Sequence, residues 1–227
     1  MTGLWILPVL IFVSALPVIA AWVWFTVDRI PVPLPFFLVS LLAGIAALPL
    51  AGLLQSLFSP PVAAGMGGLL LRLFLQIALT EEAGRLVIFV ALYIVARRFS
   101  CPVDETRAAA AGLVAGLGFA IIETASYGSS RLGIALLRAF TAAPIHGAAG
   151  SRVAAAVFLM PARPFASVSR FLGAVFIHGI YNLMVIRPGI PVFLPVVLVA
   201  AALLPVLRTI RAGRNRAFPK GGGAPPD

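Results

Sequence analysis

Residues 1–27 read MTGLWILPVLIFVSALPVIAAWVWFTV and contain no charged side chain. This run is long enough to cross a lipid bilayer as a helix, which needs about 20 apolar residues. It lacks the early Lys or Arg and the short apolar core of a cleaved signal peptide. We therefore expect these residues to form a membrane helix that the protein retains.

The rest of the chain has the same character. Of 227 residues, 61% are hydrophobic and only 11% are charged, whereas an ordinary soluble domain carries about 25% charged residues. The apolar runs are also too long for the alternating strands of roughly ten residues that build a membrane barrel. We predict an all-α, polytopic transmembrane bundle in which residues 1–207 form one domain and 208–227 form a disordered basic tail. Seven spans are expected, near residues 4–27, 35–57, 69–96, 105–128, 139–160, 165–186 and 189–207.

The basic residues lie mostly between these spans and in the tail. We therefore interpret the net charge of +10 as setting membrane orientation, and we expect no nucleic-acid partner. With the N-terminus outside and seven spans, eleven basic residues fall in inner segments and three in outer segments. The positive-inside rule then predicts a cytoplasmic C-terminus. We expect a multi-pass protein of a bacterial or archaeal inner (plasma) membrane.

Three acidic residues and both histidines lie inside the predicted spans, where charge is expensive. Each acidic group at mid-membrane costs roughly 2.5–3.5 kcal/mol. A rise of 1.5 Å per helical residue also places residues of this set, from four helices, at a similar depth, in one layer between the outer face and the midplane. We interpret this layer as a functional site; the alternative is a set of salt bridges that only holds helices together. The five residues are Glu81, Glu82, Glu123, His146 and His178.

The spacing of these residues suggests chemistry. Arg85 lies four residues after Glu81 and three after Glu82, so it can neutralise either carboxylate. Adjacent residues of a helix point about 100° apart, so we expect one glutamate to pair with Arg85 and the other to face a cavity. Two imidazoles and a carboxylate from separate helices can hold zinc with one position open for water, and a further carboxylate can take a proton from that water. Asn182 lies one turn after His178 on the same helix face.

At these residues the chain resembles a known family. The resemblance is to PrsW-type intramembrane proteases, within the wider clan of CAAX prenyl endopeptidases and bacteriocin-processing membrane proteins, and it covers about residues 69–186. Two departures stand out: the family's Lys is Arg85 here, and the Asn that follows its second-motif Glu is Thr124. The four matching motifs are TEEAGR (80–85), GLGFAIIETASYG (116–128), APIHGAAG (143–150) and FIHGIYN (176–182).

The resemblance implies a role for each site residue. The Glu81–Glu82 pair, neutralised by Arg85, would supply the catalytic base, and Asn182 would hydrogen-bond the developing oxyanion or orient the water. The metal, zinc or another divalent ion, or its bound water would be surrounded by Glu123, His146 and His178.

The function that follows is an intramembrane metal-dependent endopeptidase. The depth of the layer predicts a cut near the outer face of a membrane-tethered protein, as in site-1 cleavage of a single-span anti-sigma factor in regulated proteolysis. Two alternatives stay open. One is an endopeptidase for prenylated C-termini, and the other is a non-catalytic scaffold or partner-binding subunit.

Overall fold

The computed structural model describes residues 6–58, 65–99, 103–127, 132–191 and 193–217. Within these ranges the chain is helical and contains no strand, which confirms the predicted all-α class. The α-helices are α1 (Ile6–Val27), α2 (Leu34–Leu57), α3 (Gly65–Leu71), α4 (Thr80–Arg98), α5 (Glu105–Tyr127), α6 (Leu132–Phe140), α7 (Ala142–Leu159), α8 (Pro164–Ile186) and α9 (Phe193–Ala217).

The helices form seven successive segments, as predicted. Six are long and apolar enough to cross a membrane: α1, α2, α5, α6 together with α7, α8, and α9. The remaining segment, Gly65–Arg98, is as long as a span but carries Arg72 and the Glu81–Arg85 cluster in its interior. The chain is thus a multi-pass membrane protein in which one segment is interrupted by charge.

Three boundaries differ from the sequence prediction. The third segment begins at Gly65, and between α3 and α4 it contains a π-helix, Arg72–Leu79. The fifth segment begins at Leu132, before the predicted span of 139–160, and it consists of two helices because the chain breaks at Thr141 between α6 and α7. The predicted disordered tail is corrected in part: α9 continues through Ala217, since Leu207 is followed by residues that extend the helix without a Gly-Pro signal. The rest of the tail, 218–227, and residues 4–5 of the first predicted span lie outside the described residues.

The centre of the bundle is α5, which packs most extensively against α7 and α2. Its small residues allow this, because glycine and alanine let helix backbones approach closely. An added methyl group at Gly112 would collide with the carbonyl of Gly150, and one at Gly116 with the carbonyl of His146. This close packing brings α5 directly against the helix that carries His146.

Polar contacts mark one end of the bundle. Asp104 caps α5 by accepting a hydrogen bond from the backbone N–H of Arg107 at 2.7 Å, as its position before the helix predicts. At the same end, Arg170 of α8 pairs with Glu105 of α5 at 2.5 Å.

The first and last helices also meet through polar groups. Asp28 accepts hydrogen bonds from Trp24 Nε1 at 2.7 Å and from Arg211 Nε at 3.1 Å. The indole hydrogen bond and the two arginines Arg211 and Arg214 lower the pKa of Asp28 below its ordinary value. The C-terminal ends of α1 and α9 therefore lie on the same face of the bundle, as an odd number of crossings requires.

Candidate active site

Arg85 is the centre of a buried polar cluster. Its Nη1 donates to Glu82 Oε2 at 2.9 Å, and its Nη2 lies 3.6 Å from Glu81 Oε2. The guanidinium stacks over the ring of Phe119, with Cζ 4.4 Å from the ring centroid. Of the two adjacent glutamates, Glu82 is thus the one that pairs closely with Arg85. The 100° between neighbouring side chains predicted that one of the two would do so.

Glu82 also orients an imidazole from another helix. His178 Nδ1–H donates to Glu82 Oε1 at 2.8 Å. In the neutral imidazole this leaves His178 Nε2 as an acceptor with a free lone pair, and Nε2 lies 3.7 Å from Glu81 Oε2. A carboxylate that fixes the tautomer of a histidine in this way is typical of metal-binding histidines.

His146 is held from both sides. Arg85 Nη2 donates to His146 Nδ1 at 3.0 Å; because guanidinium groups only donate, the imidazole proton is on Nε2. This Nε2–H donates to Glu123 Oε2 at 2.6 Å. The rings of His146 and His178 meet edge to face with centroids 4.8 Å apart, so the two imidazoles predicted to cooperate do lie together.

Glu123 has a partner that sequence reasoning missed. Arg138 Nη2 forms an ion pair with Glu123 Oε2 at 2.6 Å, and its guanidinium lies over the ring of Tyr127 at 4.4 Å from the centroid. Arg138 lies in α6, a short helix that begins before the predicted span of 139–160, and it is one of the three basic residues that the sequence places in outer segments. The one sign of Arg138 in the sequence is a positive charge close to the end of a span, and that does not show toward which helix its side chain points.

Glu81 faces a cavity. Its Oε1 accepts a hydrogen bond of 3.4 Å from Gln55 Nε2, whereas its buried Oε2 has no hydrogen-bond partner among the described residues. The cavity, about 330 Å³ in volume, lies between α2, the π-helix, α4 and α5, and both Glu81 and Glu123 line it. Gln55, Arg72 and Gln76 make this cavity polar at the edge of a lipid-embedded bundle.

Two residues of the motifs are less engaged. Asn182 is half-buried one turn after His178, and its side chain makes no hydrogen bond to the residues that the structure describes. Thr124, which stands where the family has Asn, is buried, and its hydroxyl finds no partner within the described ranges. The geometry therefore brings together six of the seven predicted site residues and leaves Asn182 at the edge.

A metal ion fits a slightly different set from the predicted one. One ligand atom each from Glu81, His146 and His178 lies within 4.8 Å of the others. Since zinc bonds to nitrogen and oxygen are about 2.0–2.2 Å long, side-chain shifts of less than about 1 Å would let all three reach one ion. Glu81 Oε2 and His178 Nε2 could bind the metal without breaking a hydrogen bond to a described residue. His146 would have to give up one of its present hydrogen bonds to do so. Glu123, predicted as a ligand, lies beyond His146 as a hydrogen-bond acceptor.

The comparisons with known proteins agree with this geometry. The sequence profile of the PrsW family intramembrane metalloproteases matches residues 32–207, which include every helix of the site. No curated protein and no solved structure matches the chain. The matched region holds a buried cluster of glutamates and histidines beside a polar cavity in a multi-pass helical bundle, and the chain belongs to the PrsW family of intramembrane metalloproteases.

Proposed function

We propose that this protease activates water with Glu81, at a place where a divalent metal ion, zinc by the ligand types, would be bound by His178 and His146. The observation that carries the proposal is Glu81 Oε2, a buried carboxylate oxygen without a hydrogen-bond partner among the described residues, on a side chain that lines the cavity. Buried polar atoms are nearly always paired. An unpaired one next to the free lone pair of an imidazole supports a place for a metal or a reacting water.

Three residues of α4 have separate roles at the proposed site of the metal or the reacting water. Glu81 accepts the proton of the attacking water and passes it to the leaving amine. Glu82 holds His178 in the tautomer that presents Nε2 to Glu81, and Arg85 neutralises Glu82. A bound divalent ion would supply Lewis-acid activation of the water or the scissile carbonyl.

The remaining residues position this set. Glu123 keeps the proton of His146 on Nε2 and is itself fixed by Arg138, which supports Glu123 as an orienting group in place of the ligand role expected from sequence. Asn182 lies one turn beyond His178, and no residue in the described part of the chain hydrogen-bonds its amide. Its side chain is the candidate donor to the oxyanion of the tetrahedral intermediate.

The position of the site supports a cut near the outer face. Glu123 lies four residues before the end of α5 and His146 four residues after the start of α7, so each is about 6 Å from its helix end. The opposite end carries Arg97, Arg98 and the α9 arginines, and the positive-inside rule assigns that end to the cytoplasm. The substrate class we propose is a single-span protein of the bacterial or archaeal inner membrane, with an anti-sigma-factor-like role in regulated proteolysis.

The experiment uses purified full-length protein in liposomes with a labelled single-span substrate. Glu81→Gln should lower kcat by about 10²–10⁴-fold, the range for a general base, with little change in melting temperature. Glu105→Gln is the matched control, since it makes the same change at an ion pair on the other end of α5. Normal cleavage by Glu81→Gln would refute its role as base.

Two further readouts separate the parts of the proposal. Mass spectrometry of the products should place the cut in the outer part of the substrate's span, and preferential cleavage of a prenylated C-terminal peptide would favour the CAAX-type alternative. Metal analysis should give about one zinc per chain in the wild type and a loss in His178→Gln. Cleavage that falls only in step with melting temperature across the variants would indicate a scaffold.

A further inference from the structure

The chain contains only two glutamines, Gln55 and Gln76, and both line the cavity that Glu81 also lines. Gln55 lies in α2 and Gln76 in the π-helix, so the two amides come from different walls of the cavity. Each amide offers two donors and one acceptor oxygen, and such groups are costly to keep without partners in a lipid-embedded bundle. The roles proposed for the base, the metal ligands and the oxyanion donor use neither glutamine.

Both amides have hydrogen-bonding capacity left for a ligand. Gln55 Nε2 donates to Glu81 Oε1 at 3.4 Å, which is longer than the usual range of about 2.7–3.2 Å, so this bond is easily exchanged for another. The side chain of Gln76 makes no hydrogen bond to any residue that the structure describes. Both residues are half-buried. Two amide side chains in the wall of the catalytic cavity can therefore bind a polar ligand.

A membrane-spanning substrate brings polar groups of its own into such a cavity. In a helical span every backbone N–H and C=O group is bonded within the helix. Cleavage requires part of that helix to unwind, because the side chains and hydrogen bonds of an intact turn keep water from the carbonyl carbon. The N–H and C=O groups of the unwound turn then need new partners. An amide side chain suits them, because it pairs with a peptide group through one donor and one acceptor.

The positions of the two amides match peptide groups close to the cut. Gln55 Nε2 lies 3.4 Å from an oxygen of the proposed base, so a peptide group bound by Gln55 would be near the scissile one. Gln76 precedes Glu81 by five residues, which is one turn of a π-helix and roughly 5 Å toward the outer end. Peptide groups of an extended chain recur about every 3.3 Å. The two amides are therefore placed for peptide groups within about two residues of the cut.

We propose that Gln55 and Gln76 bind the backbone of the unwound substrate, each through one peptide group close to the scissile bond. They thereby stabilise the extended conformation in which water reaches the carbonyl carbon. Because the ligand is a peptide backbone, the substrate's side chains contribute little to recognition at these two positions. This inference deepens the proposed function and rests on it, since it takes the cavity lined by Glu81 as the place of cleavage.

The test combines variants of the full-length protein in liposomes with synthetic single-span peptides. In each peptide one amide near the cut is replaced by an ester, which removes the N–H donor. With the wild-type protein, the ester at the position bound by Gln76 should lower kcat/KM about tenfold, or about 1.4 kcal/mol, which is within the cost of an unpaired buried polar group.

The variants show whether that loss comes from a direct contact. Gln76→Leu should lower kcat/KM for the all-amide peptide about tenfold and show little further loss with that ester, because non-additive effects mark groups in contact. Gln55→Leu should show the same coupling with an ester at a second position. Because the side chain of Gln76 bonds no described residue, Gln76→Leu should melt no lower than the wild type.

The controls separate this inference from the proposed function. Ser56 lies outside the cavity, where its hydroxyl donates to the carbonyl oxygen of Leu53, and Ser56→Ala should cleave every peptide as the wild type does. In the Glu81→Gln background, Gln76→Leu should weaken binding of the all-amide peptide about tenfold, a readout that needs no catalysis. Wild-type cleavage by both glutamine variants, or additive losses at every ester position, would overturn the inference. Coupling that persists while Glu81→Gln cleaves normally would overturn only the role of Glu81.

Discussion

Gly116 is the position where adding one methyl group should most disturb the site. The Cβ of an alanine there would lie 2.7 Å from the Cα of Gly147 and closer still to the carbonyl oxygen of His146, whereas Cβ atoms hardly ever come within 3.0 Å of another atom. Both obstacles are backbone atoms of α7, so α7 would have to move by on the order of 1 Å. That motion changes the 3.0 Å and 2.6 Å hydrogen bonds of His146.

The expected result is a large loss of activity with a moderate loss of stability. A misplacement of about 1 Å can lower the rate by about 10²-fold, and overpacking costs about 1–3 kcal/mol. Gly116→Ala should therefore cleave a labelled single-span substrate in liposomes about a hundredfold more slowly than wild type, while still showing a cooperative melting transition.

The matched control is Gly173→Ala in α8, where an added methyl group meets no atom within 4 Å. This variant should cleave and melt as the wild type does. Wild-type cleavage by Gly116→Ala would refute the reasoning, because it would mean that the contact between α5 and α7 does not hold His146 in place. A loss of activity in both variants would instead assign the effect to glycine replacement in general.

Three further outcomes follow from the contacts. Glu82→Gln leaves Arg85 without its close carboxylate, and breaking such a buried pair costs about 3–5 kcal/mol. Thermal unfolding should therefore show a larger loss of stability for Glu82→Gln than for Glu81→Gln. An equal loss in the two variants would contradict a structural role for Glu82. Arg138→Gln removes the charged partner of Glu123, worth about 1.5–3 kcal/mol, so kcat/KM should fall roughly 10–100-fold, and an unchanged value would exclude Arg138 from the site. Because the pKa of Asp28 is lowered in the folded protein, its contact with α9 stabilises the fold at pH values above the ordinary pKa of 3.8. This stabilisation is lost as the pH falls through the lower pKa of the folded state. Hydrogen exchange in the last turns of α9, corrected for intrinsic rates, should therefore rise only below about pH 4.

The span pattern was largely readable from sequence because hydropathy acts over whole helices. An uncharged run such as 1–27 must be buried in lipid or protein, whatever its neighbours are. Helix breaks are local and escape this argument: the π-helix at Arg72–Leu79 packs against α8, and α6, which ends at the division at Thr141, packs against α5. The extension of α9 to Ala217 was missed for a similar reason, since its arginines find partners at Asp28.

The membership of the site was predictable, but the pairing within it was not. Charge inside a span identified both glutamates of α4 and both histidines, and helix geometry required the two glutamates to point in different directions. Which of the two faces the cavity depends on the rotation of α4, which hydropathy does not determine. The same limit explains Glu123: its distance from each imidazole depends on how closely α5 and α7 approach, and that is set by glycines whose contacts only the fold reveals.

The ion pairs of the cluster also bear on how the protein is made. Glu82 is neutralised by Arg85 three residues later in the same helix, and Glu123 by Arg138 in the next helix of the chain. Each carboxylate therefore meets its counter-ion at the moment that its own segment, or the following one, leaves the ribosome. The imidazoles that arrive with later segments can be uncharged. For Glu82 and Glu123, insertion into the bilayer can thus proceed in chain order, because neither carboxylate depends on a counter-ion from a distant later segment.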